Sequence, residues 1–211
     1  LEVFEKLFSQ DSEFWFYFDY WLKEFTRYEA WNHTFDLNCC SDPFSEAFLK
    51  ESSRYFSSTV MPTLSGLALI SENKNEIPKL ERFVEHFSMG WRIYDDLKDW
   101  KTDLRTKNLN CSSILIYARN NAGGEQELDE KGVSSMFLST VFVRRAYGAM
   151  LDFFKQAKKD VSTLNSHYVS RFLDEQIIFH SGRMDIILKS SSDFYSRLYE
   201  ILFKNNVRKK N

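Results

Sequence analysis

Gly90-Trp91-Arg92-Ile93-Tyr94-Asp95-Asp96-Leu97-Lys98-Asp99-Trp100-Lys101-Thr102-Asp103 puts four carboxylates into nine residues. The rest of the segment is rich in large apolar side chains and reads as part of a long helix. At 3.6 residues per turn, Asp95, Asp99 and Asp103 follow in steps of four and face the same way, with Asp96 about 100° round from Asp95. Carboxylates held this close repel one another unless a cation neutralises them, so the spacing suggests a hard divalent ion such as Mg²⁺. The surrounding pattern leaves a second reading open. Leu80, Val84, Phe87, Trp91 and Tyr94 form one apolar stripe, and Ile93, Leu97, Trp100 and Leu104 a second. The carboxylates fall between the two, in line with Glu81, Glu85 and Arg92, which also suits a charged face turned to water.

Outward from that stretch, the composition is that of a folded chain with a sizeable core: 211 residues, 43% apolar and 17% aromatic, with 20 Phe and 10 Tyr. Only 7 Gly and 3 Pro leave few turn residues and favour long helices. The expected architecture is therefore all-α, a single domain over residues 1–211, with no convincing strand. A formal charge of −2 gives no electrostatic footprint for nucleic acid, apart from the short basic run Arg208-Lys209-Lys210. Cys39, Cys40 and Cys111 match neither a disulfide framework nor a zinc spacing, and read as reduced thiols of a cytoplasmic protein. No apolar run reaches the roughly 18 residues of a membrane span. The first residue is Leu1 rather than Met, so the domain is expected to be incomplete at its N-terminus.

The spacing of apolar and capping residues predicts helices over the first eight residues, 13–31, 44–70, 76–106, 113–119, 133–161 and 164–203, the last as one or two pieces. A kink or break is expected near Pro62, a helix start at Asp42-Pro43, and a surface loop from Asn120 to Gly132 around Gly123-Gly124. Helix 13–31 carries ten rings, including Phe14, Trp21, Tyr28 and Trp31, and is expected to be buried on more than one face.

Lys50, the small-residue run Leu64-Ser65-Gly66-Leu67-Ala68, the turn at 71–75, Phe83, Gly90 and Asp95-Asp96-Leu97-Lys98-Asp99 follow one another in order. This succession resembles the C-terminal half of class I isoprenoid synthases: polyprenyl diphosphate synthases, terpene synthases and squalene/phytoene-type enzymes. In the prenyl synthases a Lys-Thr pair stands a little over forty residues before a second aspartate-rich motif; here Lys50 precedes Asp95 by 45. The resemblance implies an isoprenoid-synthase-like helical bundle and Mg²⁺-dependent ionisation of an allylic prenyl diphosphate, with loss of diphosphate. It implies Asp95, Asp96 and Asp99 as Mg²⁺ ligands, Asp103 as a supporting carboxylate, and Lys50, Arg92 and Lys107 as partners of diphosphate oxygens.

The pattern also departs from that family. Only 94 residues precede Asp95 and none forms the first aspartate-rich motif, Arg92 stands where prenyl synthases usually have Gln, and Lys107 follows Thr106 directly instead of forming Gly-Lys-x-Thr. The last two differences favour a terpene synthase over a chain-elongating prenyltransferase. The first leads to the expectation that the facing motif comes from missing upstream sequence, a partner subunit or a homodimer. A non-catalytic helical subunit or interaction module is the alternative. A helical phosphohydrolase is disfavoured, because His33, His86, His167 and His180 show neither a His-Asp pair nor a His-x-x-His spacing.

Overall fold

The computed structural model describes residues 2–36, 39–106, 112–122, 128–164 and 166–199. These residues form nine α-helices and one 3₁₀ turn, with no strand among them, as the scarcity of Gly and Pro anticipates. In chain order the helices are α1 Glu2–Leu7, α2 Phe14–Thr34, α3 Glu46–Ser52, α4 Arg54–Ile70, α5 Ile77–Thr106, α6 Ser113–Asn121, α7 Glu130–Met136, α8 Thr140–Ser162 and α9 His167–Tyr199, with the 3₁₀ turn Lys74–Glu76 before α5. No helix of the described residues is long and apolar enough to cross a membrane.

Helix α5 is the axis of the structure and packs on α3, α4, α6 and α8; α9 covers α8, and α2 covers α4. The largest core cluster lies on its α6–α8 side, where Met89, Ile93, Ile114, Phe142, Met150 and Phe154 are fully buried. Each such side chain withdrawn from water contributes about 1.5–3 kcal/mol. Gly90 permits this packing: a Cβ there would stand 2.8 Å from two ring carbons of Phe154 and 3.3 Å from the Met150 carbonyl oxygen. A smaller cluster of Trp21, Met61, Ala68, Ile77 and Val84 joins α2, α4 and the start of α5. On the same side, the Ser57 and Ser88 hydroxyls meet at 3.1 Å between α4 and α5.

Several element boundaries differ from the sequence expectation. The region 44–70 breaks at Ser53, not at Pro62, which sits inside α4. Proline removes one backbone donor, and the tertiary packing of α4 on α2 and α5 carries the helix through it. Asp42 does not cap α3: its carboxylate accepts from the Phe44 N–H at 3.1 Å and pairs with Arg145 of α8, and the cap is Ser45, whose hydroxyl accepts from Phe48 N–H at 3.4 Å. Residues 130–132 are helical rather than loop, because Asp129 caps α7 through the Gly132 N–H at 2.6 Å. The expected helix 133–161 is two helices, separated at 137–139, with Ser139 capping α8. Helix α2 buries only one stripe, Phe14, Trp21 and Tyr28, while Phe16 is 73% exposed. Rings all round this helix therefore do not mean burial on more than one face.

Candidate functional site

Along α5, Glu81, Glu85, Ser88, Arg92, Asp95 and Asp99 fall within an arc of about 80° at 100° per residue. The structure gives this stripe two different jobs along its length. Its N-terminal half faces α3 and α4, and its C-terminal half carries the aspartates.

Asp96 turns inward. It is 2% exposed, and its Oδ2 accepts hydrogen bonds from the Ser113 N–H at 2.7 Å and the Ser113 hydroxyl at 2.6 Å, while Oδ1 meets the Arg92 guanidinium at 3.1 Å. Ser113 begins α6, so the carboxylate satisfies one of the backbone donors that a helix start leaves open and ties α5 to α6. Burial nevertheless dominates. It raises the Asp96 carboxyl from 3.8 to about 6, against the opposing pull of Arg92 and the two Ser113 bonds. At neutral pH the group is an ionised, fully engaged strut, with both oxygens occupied by protein donors.

Asp95 and Asp99 stay on the outer side of the stripe. Both are half-buried; Asp95 makes no hydrogen bond or ion pair with another described residue, and Asp99 meets only Lys98, at 3.7 Å. Asp103, also half-buried, lies one turn further on. Arg92 belongs to the same sector but is engaged by Asp96. Lys50 is not brought to the aspartates. Its ammonium pairs with Glu85 at 2.7 Å, which raises its pKa, and Glu85 precedes Asp95 by ten residues, about 15 Å along the helix axis. Lys107 lies outside the described residues. Among the described residues no three His, Cys, Asp or Glu side chains form a group that could hold a metal ion.

Beside Lys50, α2, α3, α4 and α5 enclose a cleft of about 360 Å³. Its organising residue is Arg54, buried at the start of α4, whose guanidinium bonds Glu51 at 2.6 Å and pairs with Glu24 of α2. Glu81 opens onto the same cleft with its carboxyl raised, first by burial and then by Glu85. In the sequence Arg54 stands among the polar residues in the middle of the 44–70 segment, beside Ser52, Ser53 and Ser57. Its one local signal is Glu51 three residues before it, whereas Glu24 arrives from thirty residues upstream. The structure also joins His86 of α5 to Asp160 of α8 at 2.5 Å, a His–Asp pair that no local spacing announces.

No protein-family model, curated protein or solved structure matches the chain.

Proposed function

We propose that this chain carries one side of a Mg²⁺–diphosphate site, in a helical enzyme of the class I isoprenoid synthase type that ionises an allylic prenyl diphosphate. One observation carries the reading: of the clustered aspartates, Asp95 and Asp99 stand one turn apart with oxygens not bonded to protein donors, while Asp96 between them is committed to α6. Two carboxylates are a fitting donor set, because Mg²⁺ keeps several waters and takes one or two carboxylates together with substrate phosphates. The ion would supply Lewis-acid stabilisation of the departing diphosphate. The chain's own contribution is positional. The Asp96–Ser113 strut fixes the rotation of α5 about its axis, and so the direction in which Asp95 and Asp99 point. Arg92, held by Asp96, adds positive charge to the same sector. The order of elements supports the family reading: Lys50 on α3, then α4 with buried Ser65, Gly66 and Ala68, a turn, and α5 with the aspartates.

Diphosphate release from farnesyl and geranylgeranyl diphosphates, by the intact native protein with and without Mg²⁺, tests the proposal. Release should require Mg²⁺ and be lost in Asp95→Ala and Asp99→Ala; the absence of turnover, or turnover unchanged in both variants, refutes it.

A second reading, a non-catalytic helical module, is favoured by the Lys50–Glu85 pairing and by the lack of a three-membered metal group among the described residues. It predicts no thermal shift with Mg²⁺ and diphosphate together. A ligand at about 100 times its Kd would add about 2.7 kcal/mol.

A further inference from the structure

A second cavity, of about 270 Å³, opens where α5, α8 and α9 meet. It is walled by Tyr94, Leu97 and Lys98 of α5, Tyr147 of α8, and His180 and Arg183 of α9. Tyr94 and Leu97 lie about 120° and 180° around α5 from the middle of the Asp95–Asp99 sector, and Lys98, about 80° away, stands at the edge between the two faces.

Its chemistry is one-sided. Five of the six wall residues can donate a hydrogen bond, two of them are cations, and no carboxylate lines the cavity. Arg183 is exposed and makes no ion pair with a described carboxylate; its guanidinium lies 5.6 Å from the Phe179 ring. Lys98 has only the weak contact with Asp99. His180 is 2% exposed and Tyr147 5%, yet neither the imidazole nor the phenol is hydrogen-bonded to another described residue. Nor are these polar atoms sealed in the core, since the buried polar atoms of the described residues without a hydrogen-bond partner lie elsewhere, at Trp21, Arg54 and Ser65 among others. They open on the cavity. Rings of Tyr94 and Phe179 pack edge-on against His180 and hold it in place. Burial, and then Arg183, lowers its pKa to about 4, so at neutral pH it is an uncharged imidazole with one N–H to give.

We infer that this cavity is a binding site for a small phosphate-bearing molecule, its phosphate held by Lys98, Arg183 and the hydroxyls of Tyr94 and Tyr147, with His180 at its floor. A phosphate suits five converging donors better than a carboxylate, since it offers three strong acceptor oxygens in place of two. The volume, about nine times the share of one water in the liquid, leaves room for an organic group beyond the phosphate. The site does not rest on the Mg²⁺–diphosphate reading, because no carboxylate lines it and it needs no metal, although Lys98 also meets Asp99 at 3.7 Å.

Calorimetric titration of the full chain with glycerol 3-phosphate, inorganic phosphate and succinate, in EDTA to exclude metal, tests it. Glycerol 3-phosphate and inorganic phosphate should bind with Kd at or below the millimolar range, and succinate at least tenfold more weakly. Arg183→Ala and Lys98→Ala, both at exposed positions where folding is not at stake, should each weaken phosphate binding about tenfold, and Arg183→Lys should recover part of it. The His180 ring resonances should move on addition of phosphate. Phosphate binding that is absent, that is unchanged in both alanine variants, or that succinate matches would overturn the assignment. Because no Mg²⁺ is present, its failure leaves the Asp95–Asp99 proposal standing, and the reverse also holds.

Discussion

Replacing Asp96 by Asn removes a charge from the most deeply buried acid of α5 while keeping its shape and one acceptor oxygen. In the folded protein the carboxyl titrates near 6, against 3.8 when unperturbed, a difference of about 2.2 pH units. At 1.36 kcal/mol per unit this corresponds to about 3 kcal/mol. The folded pKa lies above the unfolded one, so between the two values the folded chain holds a proton that the unfolded chain has released. Wild-type stability therefore falls as pH rises through this window and is lower by about 3 kcal/mol, from this group, above pH 6 than below 3.8. Asn does not titrate. Urea unfolding of both proteins in EDTA, at intervals from about pH 4 to about pH 7, should show the stability of Asp96→Asn relative to wild type improving by about 2 kcal/mol across that range, most of the full effect. The two-protein difference cancels the contributions of all other groups. A difference that stays flat would show that Arg92 and Ser113 balance burial at this carboxylate, and one that changes in the opposite sense that they outweigh it.

The Gly90→Ala variant should lose about 1–3 kcal/mol in the same assay, because the new methyl would stand 2.8 Å from the fully buried Phe154 ring and 3.3 Å from the Met150 carbonyl oxygen, so packed groups must shift. Arg54→Ala should cost about 3 kcal/mol in thermal unfolding, since it takes the buried cation from Glu24 and Glu51 and leaves them only the longer contacts with the exposed Arg27, at 4.0 and 3.6 Å. By contrast, Lys50→Ala should cost less than about 1 kcal/mol, because its pair with Glu85 is largely in water.

The helical class was legible because Gly and Pro are so few, and α5 was legible almost to the residue: expected over 76–106, it runs Ile77–Thr106. Its apolar stripes told part of the core: Val84, Ile93 and Trp100 are buried, the other stripe residues are half-buried, and the fully buried Met89 belongs to neither stripe. They did not tell where Asp96 would go. One residue from Asp95 is about 100° of rotation, which placed it on the boundary between the wet stripe and the core. Its direction was decided by Ser113, seventeen residues away and on another helix. Lys50 illustrates the same limit: its spacing to Asp95 is a property of the chain, whereas its partner Glu85 is a property of how α3 lies on α5. Breaks at Ser53 and Ser139 were missed because a serine between two helices carries a weaker local signal than a proline, although Pro62 proved to interrupt nothing. The cavity at Tyr94, Tyr147 and His180 had no signature in the sequence, since three separate helices build it.

The central claim, that Asp95 and Asp99 form a Mg²⁺–diphosphate site, is tested most directly by measuring diphosphate released from allylic prenyl diphosphates by the native protein. The account predicts release that depends on Mg²⁺ and disappears in Asp95→Ala and in Asp99→Ala. Release without Mg²⁺, release undiminished by both substitutions, or no release at all would contradict it.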